Sequence, residues 1–135
     1  MKTIPKVQKY MTAIPETINK DISIKIAYEK MKEGNFRHLP VQSAGNLVGI
    51  LTDRDIKLAM TFETTQDLTV EDVMTQDPYT VSPDDELDKI VLEMAEHKYG
   101  SAVVQQSNGK VVGIFTATDG LRVLGEILNQ RFKPE

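Results

Sequence analysis

The sequence predicts an α+β fold built from two β-α-β-β-α repeats packed sheet to sheet about a pseudo-twofold axis. Three observations carry that expectation. The 135-residue chain contains its own duplicate: residues 7–41 align with 70–104 without a gap, sharing 9 identities in 35 positions, and residues 45–56 align with 109–120 with 6 identities in 12. Each copy also places apolar residues at i, i+3, i+4 and i+7, namely Ile24, Ala27, Tyr28 and Met31 in the first and Leu87, Ile90, Val91 and Met94 in the second. That is the spacing of an amphipathic helix. Finally, Ser43-Ala44-Gly45-Asn46 and Ser107-Asn108-Gly109 each separate two short β-rich runs, which marks a hairpin. One copy of roughly 60 residues is too small to cover both faces of its own sheet, so each copy is expected to cover the other.

The elements follow in the same order in both copies. An extended entry containing proline (Ile14–Ile18; Asp77–Val81) leads into the amphipathic helix. Asn19 or Asp21 and Ser82 or Asp84 are candidate N-caps, and Pro83 suits a first turn. Gly34-Asn35 closes the first helix. The hairpin strands are His38–Val41 with Leu47–Leu51, and Ser101–Val104 with Val111–Phe115. A second helix begins at Thr52 or Thr116; the first ends near Met60 and the second continues through Leu121, Leu124 and Leu128. Tyr28, Met31 and Met94 are assigned to the core. The repeats divide the chain into 1–62 with its N-terminal extension, a 63–69 linker, and 70–135 with a C-terminal helix.

Composition excludes several classes of function. There are no cysteines, so disulfides, thiolate nucleophiles and cysteine metal sites are ruled out. No apolar run reaches 18 residues, and the N-terminus lacks a signal-peptide core; a cytoplasmic protein without membrane attachment is expected. The net charge of −4 is uneven. Residues 1–66 carry 10 Lys/Arg against 7 Asp/Glu, whereas residues 67–135 carry 6 against 13. Neither half has the dense basic stripe of a nucleic-acid binder, and an anionic small ligand should prefer the first half.

The strongest local identity is Gly-Ile-x-Thr-x-x-Asp: Gly49-Ile50-Leu51-Thr52-Asp53-Arg54-Asp55 and Gly113-Ile114-Phe115-Thr116-Ala117-Thr118-Asp119. One reading is a capping box, with Thr as N-cap and Asp at the third helical position. Another uses the same atoms for a ligand. A helix N-terminus with a Thr hydroxyl suits phosphate, and a carboxylate one turn on can accept both hydroxyls of a ribose. The preceding glycine would let a ligand approach the backbone. Duplication in register favours the second reading.

With Met11-Thr12 and Met74-Thr75 near each start, Arg37-His38-Leu39-Pro40-Val41 on the first inner strand, and Gly-h-x-Thr-x-x-Asp near each end, the chain resembles a tandem CBS-domain protein, or Bateman module, of the small stand-alone type. The resemblance runs from about Val7 to Leu128. It implies regulatory binding of adenosyl ligands (AMP, ADP or ATP, in some members S-adenosylmethionine or NAD) in clefts between the two copies, with output through a protein partner or a change of oligomer. It implies phosphate contact at Thr52 and Thr116, and ribose contact at Asp55 and Asp119. An adenine pocket would involve Ile18, Pro40, Val81 and Val103. No cofactor is required, and Mg²⁺ would enter only with ATP phosphates.

The copies differ where a second phosphate partner would sit. Arg37, His38, Arg54 and Lys57 in the first face Gly100, Ser101, Thr118 and Leu121 in the second, where His97 and Lys98 are the nearest substitutes. The first copy is therefore the expected nucleotide site. An enzyme reading from Asp53-x-Asp55 fails because the duplicate has Ala117 in place of Asp53. The rival that stays open is a docking module without ligand, its Thr-x-x-Asp only a helix cap. Apolar residues on the helices after each motif (Ile56, Ala59, Met60; Leu121, Leu124, Leu128) predict a homodimer, an antiparallel disc that opposes unlike halves.

Overall fold

Amphipathic spacing, short β-branched runs and left-handed turn residues form the expected elements. The computed structural model describes residues 3–13, 16–61 and 68–132. The strands are β1 (Thr12–Ala13), β2 (Ile18–Asn19), β3 (His38–Ser43), β4 (Asn46–Thr52), β5 (Thr75–Gln76), β6 (Thr80–Val81), β7 (Ser101–Gln105) and β8 (Val111–Thr116). The helices are α1 (Ile24–Gly34), α2 (Asp53–Ala59), α3 (Val70–Val73), α4 (Leu87–His97) and α5 (Ala117–Phe132), with a 3₁₀ turn at Val7–Lys9. Two four-stranded mixed sheets result, ordered β2-β3-β4-β5 and β1-β8-β7-β6. Ile14 and most of the 63–69 linker lie outside the described residues.

The described residues fall into two compact units, one within Pro15–Pro78 and the other within Met1–Ile14 plus Tyr79–Glu135. This division cuts across the sequence repeat. Three strands of each sheet come from one copy, as the repeat predicts. The fourth is the Met-Thr segment that the repeat assigns to the other copy: β5 pairs with β4 through Thr75↔Ile50, and β1 pairs with β8 through Thr12↔Ile114. The duplication reaches fine detail. Both hairpins carry a register irregularity at the same point, Val41/Gln42 and Val104/Gln105.

In the unit spanning Pro15–Pro78, α1 and α2 pack on one sheet face through Ile18, Ala27, Met31, Leu39, Val41, Leu51, Ile56 and Val70. Tyr28 packs against this cluster, half-buried. Ser23, rather than Asn19 or Asp21, caps α1 by accepting from the Ile26 N–H at 3.3 Å. Asn19 is instead committed to a local turn, accepting from the Asp21 N–H at 2.9 Å. Asn35 adopts the left-handed conformation (φ 55°) that ends α1, and Lys98 (φ 59°) ends α4 in the same way. Ala44 and Gly45, at φ 50° and 81°, make the two-residue hairpin, whose positive-φ turn matches the twist of the strands.

The other unit packs α4 and α5 around Val7, Val81, Leu87, Ile90, Met94, Ala102, Val104, Phe115 and Val123. Neither Ser82 nor Asp84 is the α4 N-cap; that position is Glu86, which makes no side-chain cap bond. Ser82 and Asp85 instead tie the approach to the helix, with the Ser82 N–H donating to the Asp85 carboxylate at 2.8 Å.

Candidate functional site

In each unit the second hairpin strand runs directly into a helix, and the Thr-x-x-Asp motif sits on that junction. Thr52 ends β4 in an extended conformation and caps α2, its hydroxyl accepting from the Asp55 N–H at 3.1 Å. The Asp53 N–H is closed by the Arg37 carbonyl at 3.0 Å. Thr116 repeats this arrangement at the start of α5, accepting from the Asp119 N–H at 3.1 Å, and the Ala117 N–H is closed by the Gly100 carbonyl at 3.0 Å. Two of the helix-start donors are thus spent within the protein. What each junction offers a ligand is its hydroxyl and its carboxylate.

The two carboxylates are not equivalent. Asp119 is 5% exposed. One of its oxygens accepts from the Thr116 N–H at 2.9 Å, which completes a reciprocal capping box. The other lies 3.2 Å from Arg122 Nη1, and the Thr12 hydroxyl is 3.5 Å from both. Asp55 is half-buried, and among the described residues its carboxylate makes no hydrogen bond or ion pair. Among the described residues it has no partner to displace, and its own N–H is bonded to the Thr52 hydroxyl.

The structure gathers the first-copy cations around this open carboxylate's helix. Arg37 immediately precedes β3, and Arg54 is the second residue of α2; both are exposed. Among the described residues neither is in a salt bridge. His38 begins β3 opposite Thr52 in the register and is half-buried. Lys57 is turned to Asp53, 3.7 Å away. In the second copy, His97 bonds Glu93 at 2.8 Å and stacks on Tyr99, while Lys98 is the left-handed end of α4.

The four candidate adenine contacts divide into two pairs. Ile18 and Val81 point into the helix-side cores. Pro40 and Val103 are buried and alternate with the core residues Leu39 and Val41, and Ala102 and Val104, so they face the opposite side of their sheets, registered with Ile50 and Ile114.

The motif glycine has a role other than the one expected. A Cβ on Gly49 would lie 2.5 Å from Met74 Sδ and 2.8 Å from the Thr75 carbonyl; on Gly113 it would lie 2.5 Å from Met11 Sδ and 2.9 Å from the Thr12 carbonyl. The space it leaves is taken by the Met-Thr strand, not held open for a ligand. Met-Thr and Gly-h-x-Thr-x-x-Asp are therefore two halves of one packing contact. Sequence reasoning missed Thr12 and Arg122; the i+3 spacing of Arg122 from Asp119 was the available signal.

The profile of the family described as CBS domain matches the chain twice, at residues 7–61 and 70–126. The chain belongs to the CBS-domain family. Among solved structures, the CBS domain pair of protein MJ0100, in complex with 5′-methylthioadenosine and S-adenosyl-L-methionine, superposes with a TM-score of 0.82 at 30% identity, covering 93% of this chain and 99% of that one. CBSX2 in complex with AMP gives 0.73 at 26% identity, covering 90% and 97%. The L-aspartate semialdehyde sulfurtransferase of Methanocaldococcus jannaschii is 32% identical over 90% of this chain. The chain spans 24% of that relative's length. Among the described residues, no helix is long and apolar enough to cross a membrane, and no group of three or more His, Asp or Glu could hold a metal ion.

Proposed function

We propose that the chain is a regulatory CBS pair, not a catalyst, that senses an adenosyl nucleotide of the AMP, ADP or ATP class. Its principal site is the junction of β4 and α2. The observation that carries this reading is that the Asp55 carboxylate, one turn from the Thr52 cap, is unengaged among the described residues. Asp55 accepts the ribose hydroxyls, Thr52 meets the phosphate, and Arg37, His38 and Arg54 supply charge-assisted contacts to it. Pro40 borders the adenine. Adenosyl ligands in two similar CBS pairs support the class. ATP would bring Mg²⁺ with its phosphates. Thr116, Asp119 and Val103 form the weaker second site. The absence of cysteine suits a cytoplasmic module.

Output passes through a protein partner or through self-association. An apolar groove of about 680 Å³ in the second unit is lined by Ile4, Leu87, Val91, Leu121, Leu124 and Ile127, among others. Its occupant is a second copy of the chain: the unit that carries the groove has 9 Lys/Arg against 9 Asp/Glu and residues 15–78 have 7 against 11, so opposing unlike units keeps two net-negative surfaces apart, which favours an antiparallel dimer. Ile56 and Ala59, expected on this face, are buried in their own unit; Leu58 and Met60 are exposed.

A second reading, a docking module whose Thr-x-x-Asp only caps a helix, is favoured by one observation, the complete capping box at Thr116 and Asp119. Isothermal titration with AMP, ADP, ATP, NADH and S-adenosylmethionine separates the two. Heat from any of them supports the sensor. Silence across the panel leaves the docking module.

A further inference from the structure

We infer that Arg122 holds the second Thr-x-x-Asp shut, making it the residue that limits the chain to one nucleotide. The inference rests on the adenosyl reading above and concerns a residue outside the motif. Each carboxylate oxygen can accept about two hydrogen bonds, and a ribose diol needs acceptors on the ligand side. At Asp119 each oxygen already has a protein donor. One oxygen takes the Thr116 N–H, the other takes Arg122 Nη1 at 3.2 Å, and the Thr12 hydroxyl approaches both. With three donors inside the protein, the Thr116 N–H, Arg122 and the single Thr12 O–H, the carboxylate is largely satisfied at 5% exposure.

A ribose must therefore displace the guanidinium from a buried carboxylate before both of its hydroxyls can be accepted. In the first copy the position of Arg122 is Leu58, which offers no donor. Asp55 has no internal partner among the described residues, so the same ribose loses nothing on arrival. The Arg122 side chain is 65% exposed and can be removed without opening a core. Thr116 and Thr12 remain to hold Asp119 in place.

The test is titration of the full chain with AMP and with 5′-methylthioadenosine, comparing wild type, Arg122→Ala, Arg122→Lys and Arg122→Ala/Asp119→Asn. Circular dichroism melts confirm that each is folded. Wild type is expected to bind one equivalent per chain, with a second at least tenfold weaker. Arg122→Ala brings the second equivalent to within tenfold of the first, Arg122→Lys keeps it weak, and the double variant loses it. Two equal equivalents on wild type overturn the inference, as does a single equivalent on Arg122→Ala. No binding to any protein in the set overturns the adenosyl reading and this inference together, a result distinct from one site throughout.

Discussion

Thr116 and Asp119 hydrogen-bond each other in both directions, backbone to side chain, at 2.9 and 3.1 Å. Thr52 and Asp55 make only one of those two bonds, at 3.1 Å. The same four-residue motif is thus a closed capping box in one unit and an open hydroxyl–carboxylate pair in the other. Thr12 and Thr75 are the same residue in equivalent registers, so the difference outside the motif is Arg122 against Leu58. The proposed binding role of Thr52 and Asp55 rests on that contrast.

Stability should report that separation. Asp119→Asn weakens bonds to a buried carboxylate and is expected to cost about 1.5–3 kcal/mol. Asp55→Asn gives up only a favourable charge near a helix start, under about 1 kcal/mol. Urea unfolding of the two variants checks this; equal costs would mean that Asp55 is also internally committed.

The glycines make a second comparison. Gly49→Ala and Gly113→Ala each push a Cβ against a neighbouring strand's carbonyl, at 2.8 and 2.9 Å, and should cost about 1–3 kcal/mol through overpacking. Gly100→Ala meets nothing within 4 Å and should be near neutral. Thermal melts of the three decide whether Met-Thr and the motif glycine form one contact.

Much of this fold was legible in the sequence because its determinants are local. The i, i+3, i+4, i+7 residues of α1 and α4, the Ala44-Gly45 turn and the Thr52 and Thr116 caps act within a few positions of themselves. The fourth strand of each sheet was not legible. Thr12↔Ile114 joins residues from opposite ends of the chain through a two-residue strand, too short to leave a period-2 pattern. Ser23 was passed over as a cap because Asn19 and Asp21 are equally good cap formers, and the Asx turn that removes Asn19 depends on backbone geometry. Thr52 and Asp55 could be named as a site, but what distinguishes Asp119 is its burial and the Arg122 contact, of which the sequence shows only the i+3 spacing.

Alkaline pH should act on Tyr79. Burial, followed by the charges of Glu93 and Asp85, raises its phenol above the ordinary value. The neutral phenol is therefore favoured by folding. Its contribution is fully present below about pH 10 and is lost as pH rises through the folded value. The melting temperature of wild type should fall faster above pH 10 than that of Tyr79→Phe, with parallel behaviour at pH 7–9. Parallel curves throughout would contradict the direction.

Self-association should depend on α5. Leu121 and Leu124 are 69% and 51% exposed along the groove, and a second copy would bury them. Light scattering is expected to give twice the chain mass at tens of micromolar, and Leu121→Glu/Leu124→Glu should return it to the single-chain value. A monomeric wild type would remove the dimer from the account.

The most direct test of the central claim is calorimetric titration of AMP into wild type, Asp55→Asn and Asp119→Asn. Loss of charge-assisted bonds to the ribose is worth about 1.5–3 kcal/mol, or roughly 10- to 100-fold in affinity. Asp55→Asn should weaken the first equivalent by that factor while the protein stays folded, and Asp119→Asn should leave the first equivalent unchanged. Unaltered binding after Asp55→Asn, or the same loss from both substitutions, would contradict the assignment of the nucleotide to Thr52 and Asp55.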